Sequence, residues 1–259
     1  MKKFVAFAGF SLLAVGAFAQ TNLQVFYDFG KDRKYVTSTL EMFKSDDWGN
    51  TFFFVDYDHN WKNGKDKLIA PNSTSMEIAR CFNFWGDSQL APLSLQIEYN
   101  GGVGSFFYDT PVARVHEPYC IEKAWLFGVD YFLHNADFSN TFNFKVLYKH
   151  WAENEGTPLQ FTFVWGMQNL LGVEGLRFSG FVDFWGQDAT YVTKTDALGN
   201  PTETKDTKWV FLSEPQLWYN IGSLFGCPNF NIGGEVELSN NFTQEGFMCN
   251  PCLGVKWDF

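Results

Sequence analysis

Along most of the chain, apolar and polar residues alternate with a period of two. Leu93, Leu95, Ile97 and Tyr99 alternate with Ser94, Gln96, Glu98 and Asn100. Phe142, Phe144, Val146 and Tyr148 alternate with Thr141, Asn143, Lys145 and Lys149. Leu159, Phe161, Phe163 and Trp165 follow the same rule, as do Phe230, Ile232, Val236 and Leu238 against Asn231, Glu235, Glu237 and Ser239. Successive side chains of a strand point to opposite faces, so each segment has one apolar and one polar face. Applied throughout, the rule predicts twelve strands, near 22–29, 34–44, 51–60, 73–85, 92–101, 121–132, 141–151, 158–168, 175–187, 206–221, 229–239 and 251–259.

The connections then sort by length. Those after odd-numbered strands are often long, as at Trp61 to Asn72, Gly102 to Cys120, Asp188 to Lys205 and Asn240 to Asn250. Those after even-numbered strands are short, as at Ser45 to Asn50, Gly86 to Ala91, Leu133 to Asn140, Asn169 to Glu174 and Gly222 to Pro228. Short turns at one end and longer loops at the other are the layout of a barrel that crosses a membrane. The expected fold is all-β: a transmembrane antiparallel up-and-down β-barrel of about twelve strands, of the outer-membrane type.

Composition sharpens this reading. Aromatic residues make up 19% of the chain, yet its mean hydropathy is only −0.18. No apolar run reaches the roughly 20 residues of a spanning helix, and so many aromatics exclude a disordered chain. Interleaving reconciles the two: apolar rings face lipid and polar residues face inward. Most of Trp151, Trp165, Trp185, Trp209 and Trp257 are expected in aromatic girdles at the membrane edges. The net charge of −10 comes without basic clusters, which argues against a nucleic-acid partner.

Lys2 and Lys3, the apolar stretch Phe4 to Phe18 and the motif Ala17-Phe18-Ala19 predict a cleaved export signal over residues 1–19. A single barrel domain would then occupy 20–259. Five cysteines cannot all pair with one another, and Cys249-x-x-Cys252 has neither a second such pair nor a nearby His. A surface disulfide or idle thiols are expected there, and neither a metal nor a cofactor. The last strand places Leu253, Val255, Trp257 and the terminal Phe259 on one face, which resembles the signal read by barrel-assembly machinery.

The polar parity would line the lumen. It offers Asp28 with Phe26, then Tyr35, Thr37, Thr39 and Glu41, then Phe52, Phe54, Asp56 and Asp58. Glu77, Glu98, Lys145, Lys149, Arg177, Asp183, Glu214, Glu235, Glu237 and Lys256 follow. Rings beside carboxylates suit a solute with a flat face and hydroxyl groups. Charges that merely pair and plug a narrow lumen fit equally well. Arg80 falls on the lipid parity, which is costly at mid-membrane unless a bulge or an interfacial position relieves it.

Four blocks resemble the Tsx family of nucleoside-specific channel-forming outer-membrane proteins. They are Leu40-Glu41-Met42-Phe43 with Asp47-Trp48 and the aromatic run to Asp56; Ser75-Met76-Glu77-Ile78 with Phe82; Ala124-Trp125-Leu126-Phe127-Gly128 with Asp130 and the strand ending Tyr148-Lys149-His150-Trp151; and Gly180-Phe181 with Asp183-Phe184-Trp185-Gly186. They occur in family order. The resemblance implies a monomeric twelve-stranded barrel whose narrow channel admits nucleosides passively through aromatic and ionisable residues. Carried over by position, Glu41, Asp56, Glu77 and Asp183 are polar lumen positions, and Phe52 and Phe54 are the aromatic run. With Tyr35 and Arg177 from the inward parity, these form the expected solute-binding set. Arg80 departs from the family by one position, and the long loops look unrelated.

The expected function is therefore passive, selective diffusion of small polar solutes, most of all nucleosides, across the outer membrane of a Gram-negative-type bacterium. The partners would be the bilayer, the solute and the assembly machinery at Phe259. Two alternatives stand beside it: a membrane-embedded hydrolase and a plugged structural or adhesion barrel. No G-x-S-x-G occurs, and none of His59, His116, His134 and His150 has a motif-spaced Ser or carboxylate. The hydrolase alternative would need a Ser–His pair assembled across strands on the outer wall.

Overall fold

The computed structural model describes residues 20–31, 33–59, 72–151, 154–197 and 199–259. The expected leader at 1–19 lies outside the described residues. The strands are β1 (Gln20–Asp28), β2 (Val36–Asp46), β3 (Gly49–His59), β4 (Asn72–Phe82), β5 (Leu93–Asp109), β6 (Arg114–His134) and β7 (Asn140–His150). They continue as β8 (Leu159–Met167), β9 (Leu176–Thr195), β10 (Pro201–Ser213), β11 (Gln216–Tyr219), β12 (Phe230–Asn240) and β13 (Phe247–Asp258). All pair antiparallel; β1 to β9 each pair with the next strand in sequence, β10 and β11 both pair with β9 and β12, β12 pairs with β13, and β1 closes on β13 through Asn22↔Asp258 to Asp28↔Cys252. Closure leaves no free edge, as a spanning sheet requires.

The thirteen segments form twelve barrel strands. β10 and β11 share both neighbours and keep one register across Glu214-Pro215: Ser213↔Val182 continues as Gln216↔Ser179. Pro215 has no N–H to give the ladder, so the strand is interrupted there. Opposite the break lies Gly180, at φ +153°, where a Cβ would stand 2.4 Å from the Glu214 carbonyl oxygen.

The long connections differ from the expectation. Gly102 to Cys120 and Asp188 to Lys205 were read as loops, but β5–β6 and β9–β10 run on as hairpin ribbons through those segments. They end at tight turns, with the Thr110 N–H donating to the Ala113 carbonyl at 2.9 Å and Asp196 to Asn200 at 2.9 Å. Outside the bilayer both faces of a ribbon meet water, so the apolar–polar alternation that marks a membrane strand is not needed.

The outer wall carries the apolar parity, including Leu23, Val25, Ile78, Leu95, Phe127, Phe144, Val146, Phe161, Leu253 and Val255. Arg80 lies on this wall near the β2–β3 turn. Its Nη1 and Nη2 donate to Asp46 Oδ2 and Oδ1 at 2.7 and 2.8 Å, and Nη1 also to Thr51 Oγ1 at 3.0 Å. A bidentate pair at the membrane edge, rather than a bulge, accommodates the charge. Cys249 and Cys252 lie three residues apart on β13, one exposed and one buried, so they point to opposite faces and cannot share a bond or an ion. All five cysteines are free.

Candidate functional site

The lumen is built by the polar parity of every strand, and three levels can be separated along it. At the end of the long loops, the β1–β2 connection turns inward. Arg33 Nη2 donates to both oxygens of Glu237 at 2.7 Å, and Nη1 to Asp28 Oδ2 at 3.1 Å. Tyr35 lies in the electrostatic neighbourhood of Asp58, Arg33, Asp28 and Glu237. Nearby, Ala124, Leu126, Leu147, Trp151, Trp185, Val210 and Leu212 form a buried apolar cluster, against which Phe242 of the β12–β13 loop packs edge-on. Lys149 Nζ sits 4.2 Å from the Trp185 ring centroid and 5.1 Å from that of Trp151, and pairs with Glu122 at 3.2 Å.

The girth of the barrel is ionic. Thr39 Oγ1 donates to Asp56 at 2.5 Å, and Thr162 donates to Asp183. Gln96 Nε2 and Asn100 Nδ2 donate to Glu98 at 2.5 and 3.0 Å, and Gln216 Nε2 to Glu235 at 2.9 Å. At this level Glu77, Lys145 and Glu214 have no hydrogen-bond or ion-pair partner among the described residues. They come from β4, β7 and the β10–β11 break, three strands apart each, so Glu77 faces Glu214 across the barrel. Glu98, Asp130 and Glu77 surround Lys145 electrostatically, whereas Glu235, Glu237 and Asp56, with Arg33 as the one cation, surround Glu214. One wall mixes charge signs evenly and the opposite wall carries an excess of carboxylates over its single arginine.

At the end of the short turns, Asn22 Nδ2 donates to Glu41 at 2.9 Å and Arg177 Nη1 to Asp258 at 3.0 Å. Arg177 also borders a vestibule of about 550 Å³ lined by turn residues including Asp137, Ser139, Asn169, Asn220 and Ser223.

The eight sequence-selected residues therefore all belong to the inner wall but not to one pocket. Phe54↔Glu77 and Thr39↔Asp56 are register partners, as are Glu41↔Phe54 and Phe43↔Phe52. Glu77 and Asp183 lie in each other's electrostatic range. Tyr35 and Arg177 stand at opposite ends of the lumen.

Two expectations for tryptophan fail. Trp151 and Trp185 were placed in the lipid girdle, but they are buried in the lumen, as is Trp218. The parity contained the answer: Trp185 is two residues from Asp183 and Trp151 two from Lys149, so each shares its polar neighbour's face. The apolar lumen cluster hid behind the assumption that rings face lipid. Arg33 lies outside any strand, and no periodicity could have pointed to it.

Comparison with solved structures returns outer-membrane barrels at low identity. Omp33 of Acinetobacter baumannii is 11% identical over 94% of this chain and 100% of its own, with a TM-score of 0.43. The KdgM porin is 9% identical over 93% of this chain and 99% of its own, at 0.44. The β domain of the Bordetella autotransporter BrkA is 11% identical over 93% and 99%, at 0.40. At such scores the barrel architecture rests on the strand pairing described above. No curated protein matches the chain. The model of the family described as "Domain of unknown function (DUF5020)" matches residues 19–259, and the chain belongs to that family.

Proposed function

We propose that this barrel is an outer-membrane channel for passive diffusion of small polar solutes, with nucleosides as its preferred class. The observation that carries the reading is the inner wall. It is hydrogen-bonded and charged with both signs, and it leaves Glu77, Lys145 and Glu214 without partners at the girth. A plug formed by mutual neutralisation would use these charges up. Left free, they offer successive weak contacts to a passing solute, strong enough to select and weak enough to release.

The nucleoside reading rests on the Tsx resemblance and on ring–carboxylate juxtaposition. Phe52 and Phe54 pack at 6.2 Å between centroids, beside Asp56 and across from Glu77. In this reading the rings hold the base, Asp56, Glu77 and Asp183 accept from polar groups, and Glu41, Arg177 and Tyr35 line the approach from the two mouths. Transport is uncoupled to energy. The chain works as a monomer, inserted by the assembly machinery that reads its terminal Phe259.

Liposome swelling with nucleosides, free sugars and amino acids tests it. Faster swelling with nucleosides is the expected result. Equal rates for all three would overturn the specificity, and no swelling would overturn the channel.

One observation favours a second reading. On the outer wall, Ser38 Oγ and His59 Nε2 are 2.9 Å apart, the contact a serine hydrolase needs between nucleophile and base. Labelling of Ser38 by a fluorophosphonate would support hydrolysis; an unlabelled protein would leave the channel reading alone.

A further inference from the structure

The vestibule at the short-turn mouth, about 550 Å³ in volume, has a lining of two kinds. One kind is engaged in holding the turns. Asp137 accepts from the Ser139 N–H and hydroxyl at 3.1 and 2.8 Å. Asn220 Oδ1 accepts from the Ser223 N–H and hydroxyl at 3.0 and 2.8 Å, and its Nδ2 donates to the Pro228 carbonyl at 2.6 Å. Asn169 Oδ1 accepts from the Gly175 N–H at 2.9 Å. These contacts fix the β6–β7, β8–β9 and β11–β12 turns around one open space. The other kind has polar capacity to spare. The exposed side chains of Gln168 and Glu174 have no hydrogen-bond or ion-pair partner among the described residues, and Arg177 donates only through Nη1, to Asp258 at 3.0 Å.

An aromatic ring borders the same space. Phe132 and His134 are the last inward residues of β6. The β6–β7 turn brings Phe138 back onto them: its ring stacks on His134 with centroids 3.8 Å and planes 11° apart, and lies 6.4 Å from Phe132. Phe138 is still 41% exposed, and it lines the vestibule. Its backbone stands at φ +58°, a left-handed conformation that a bulky side chain rarely takes. The turn holds it there: the Phe138 N–H donates to the Asn135 carbonyl at 3.1 Å, and Asn135 Nδ2 donates to Ser139 Oγ at 2.8 Å. Such strain persists only where the surroundings over-determine it, and here it sets an aromatic ring at a cavity.

We infer that the vestibule binds the planar base of the permeating solute, stacked on Phe138 and read along its edge by Gln168, Glu174 and Arg177. The inference rests on the channel reading and adds a second base site to it, at the short-turn mouth and apart from the Phe52–Phe54 pair on β3. The volume is ordinary for a small-molecule pocket, and the free groups set the chemistry. The ring takes a flat face. The Gln168 carboxamide both donates and accepts, Glu174 only accepts and Arg177 only donates. A uracil-type base matches all four: its carbonyl oxygens accept from Gln168 Nε2 and Arg177, and its ring N–H donates to Glu174. A free sugar has hydroxyls for the edge groups but no π face for the ring. An anion would meet Glu174 and Asp137. A metal cation would meet Arg177 and leave the N–H donors unmatched. The Glu174 contact further sets a preference for bases that carry a ring N–H.

The test is block of ion current through the full barrel in planar bilayers, with uridine, 3-methyluridine and D-ribose as probes. 3-Methyluridine keeps the flat ring and both carbonyls but lacks the N–H that donates to Glu174. Wild type should be blocked by uridine at lower concentration than by 3-methyluridine, and least by ribose. Phe138→Ala should raise the half-blocking concentration of uridine about tenfold, and Phe138→Tyr should leave it near wild type. Glu174→Ala should bring uridine to the level of 3-methyluridine. Half-blocking concentrations unchanged in both Phe138→Ala and Glu174→Ala would overturn the site while leaving a nucleoside channel standing. Conductance steps that no probe blocks, or that ribose blocks as strongly as uridine, would overturn the site and the nucleoside preference together. If no conductance steps form, the channel reading falls and equilibrium dialysis of uridine against the detergent-folded barrel decides the site: binding that is lost in Phe138→Ala supports it, and no binding overturns it. Heat-modifiable gel migration checks that each variant is folded; if Phe138→Ala does not fold, Gln168→Ala and Glu174→Ala decide by the same criteria.

Discussion

Arg33 and Glu237, 204 residues apart in the chain, are joined by contacts of 2.7 Å from one guanidinium nitrogen to both carboxylate oxygens. The contact ties the β1–β2 connection to β12 and also holds Asp28. Glu237 and Asp28 are 9% and 2% exposed, so Arg33 neutralises carboxylates that water reaches poorly. Arg33→Met leaves both without a cation. Breaking a buried pair from one side costs about 3–5 kcal/mol in a dry interior, and water in the lumen lowers that figure. The variant barrel should unfold at lower temperature on heat-modifiability gels. Its reversal potential in a KCl gradient should shift toward cation selectivity. An unchanged reversal potential would show that this end of the lumen does not govern ion choice.

Trp185 stands where the lumen is narrowed by apolar side chains. Its face carries Lys149 at 4.2 Å, and Phe242 meets its edge at 5.8 Å. Trp185→Ala should raise single-channel conductance by opening this level. Stability should fall by about 3–5 kcal/mol, as for other buried Trp truncations. Conductance equal to wild type would place the constriction elsewhere, with Glu77, Lys145 and Glu214 as the next positions to vary.

The barrel itself was legible in the sequence wherever one face met lipid. Leu93 to Asn100 and Thr141 to Lys149 alternate because hydrocarbon permits no polar group on the outer parity. That constraint ends where the ribbons leave the bilayer, so Gly102 to Cys120 read as a loop although it is paired strand. The inner wall was legible only in part. Glu77, Lys145 and Asp183 announce themselves by charge on a known parity. Trp151 and Trp185 share that parity, but they were assigned by residue type to the girdle.

Gly180 lies opposite the interrupted strand at φ +153°, with the Glu214 carbonyl oxygen 2.4 Å and the Pro215 Cα 2.9 Å from where a Cβ would be. Backbone cannot move aside as a side chain can. Gly180→Ala should destabilise by about 1–3 kcal/mol, the usual cost of overpacking, and reduce the folded fraction in detergent refolding. Wild-type refolding yield and heat stability would show that the break at Pro215 is soft enough to absorb a methyl group.

The β6–β7 turn, at the end of the short connections, carries a pH-sensitive contact. Asp137 accepts from the Ser139 N–H at 3.1 Å and the Ser139 hydroxyl at 2.8 Å, and these hydrogen bonds hold its pKa below the usual carboxylate range. A carboxylate depressed in the folded state stabilises it fully at neutral pH, and the contribution is lost as pH falls through the lowered pKa. Asp137→Asn should therefore speed amide exchange at Ser139 at pH 7, with the difference from wild type shrinking in acid. A difference that persists unchanged at low pH would rule out the ionised carboxylate as its source.

The central claim is that the inner wall conducts solute. Purified wild-type protein in a planar bilayer, with uridine added stepwise, tests it most directly. The account predicts discrete conductance steps at constant voltage that uridine reduces reversibly and saturably. A membrane that shows heat-modifiable, folded protein but no conductance steps would contradict it.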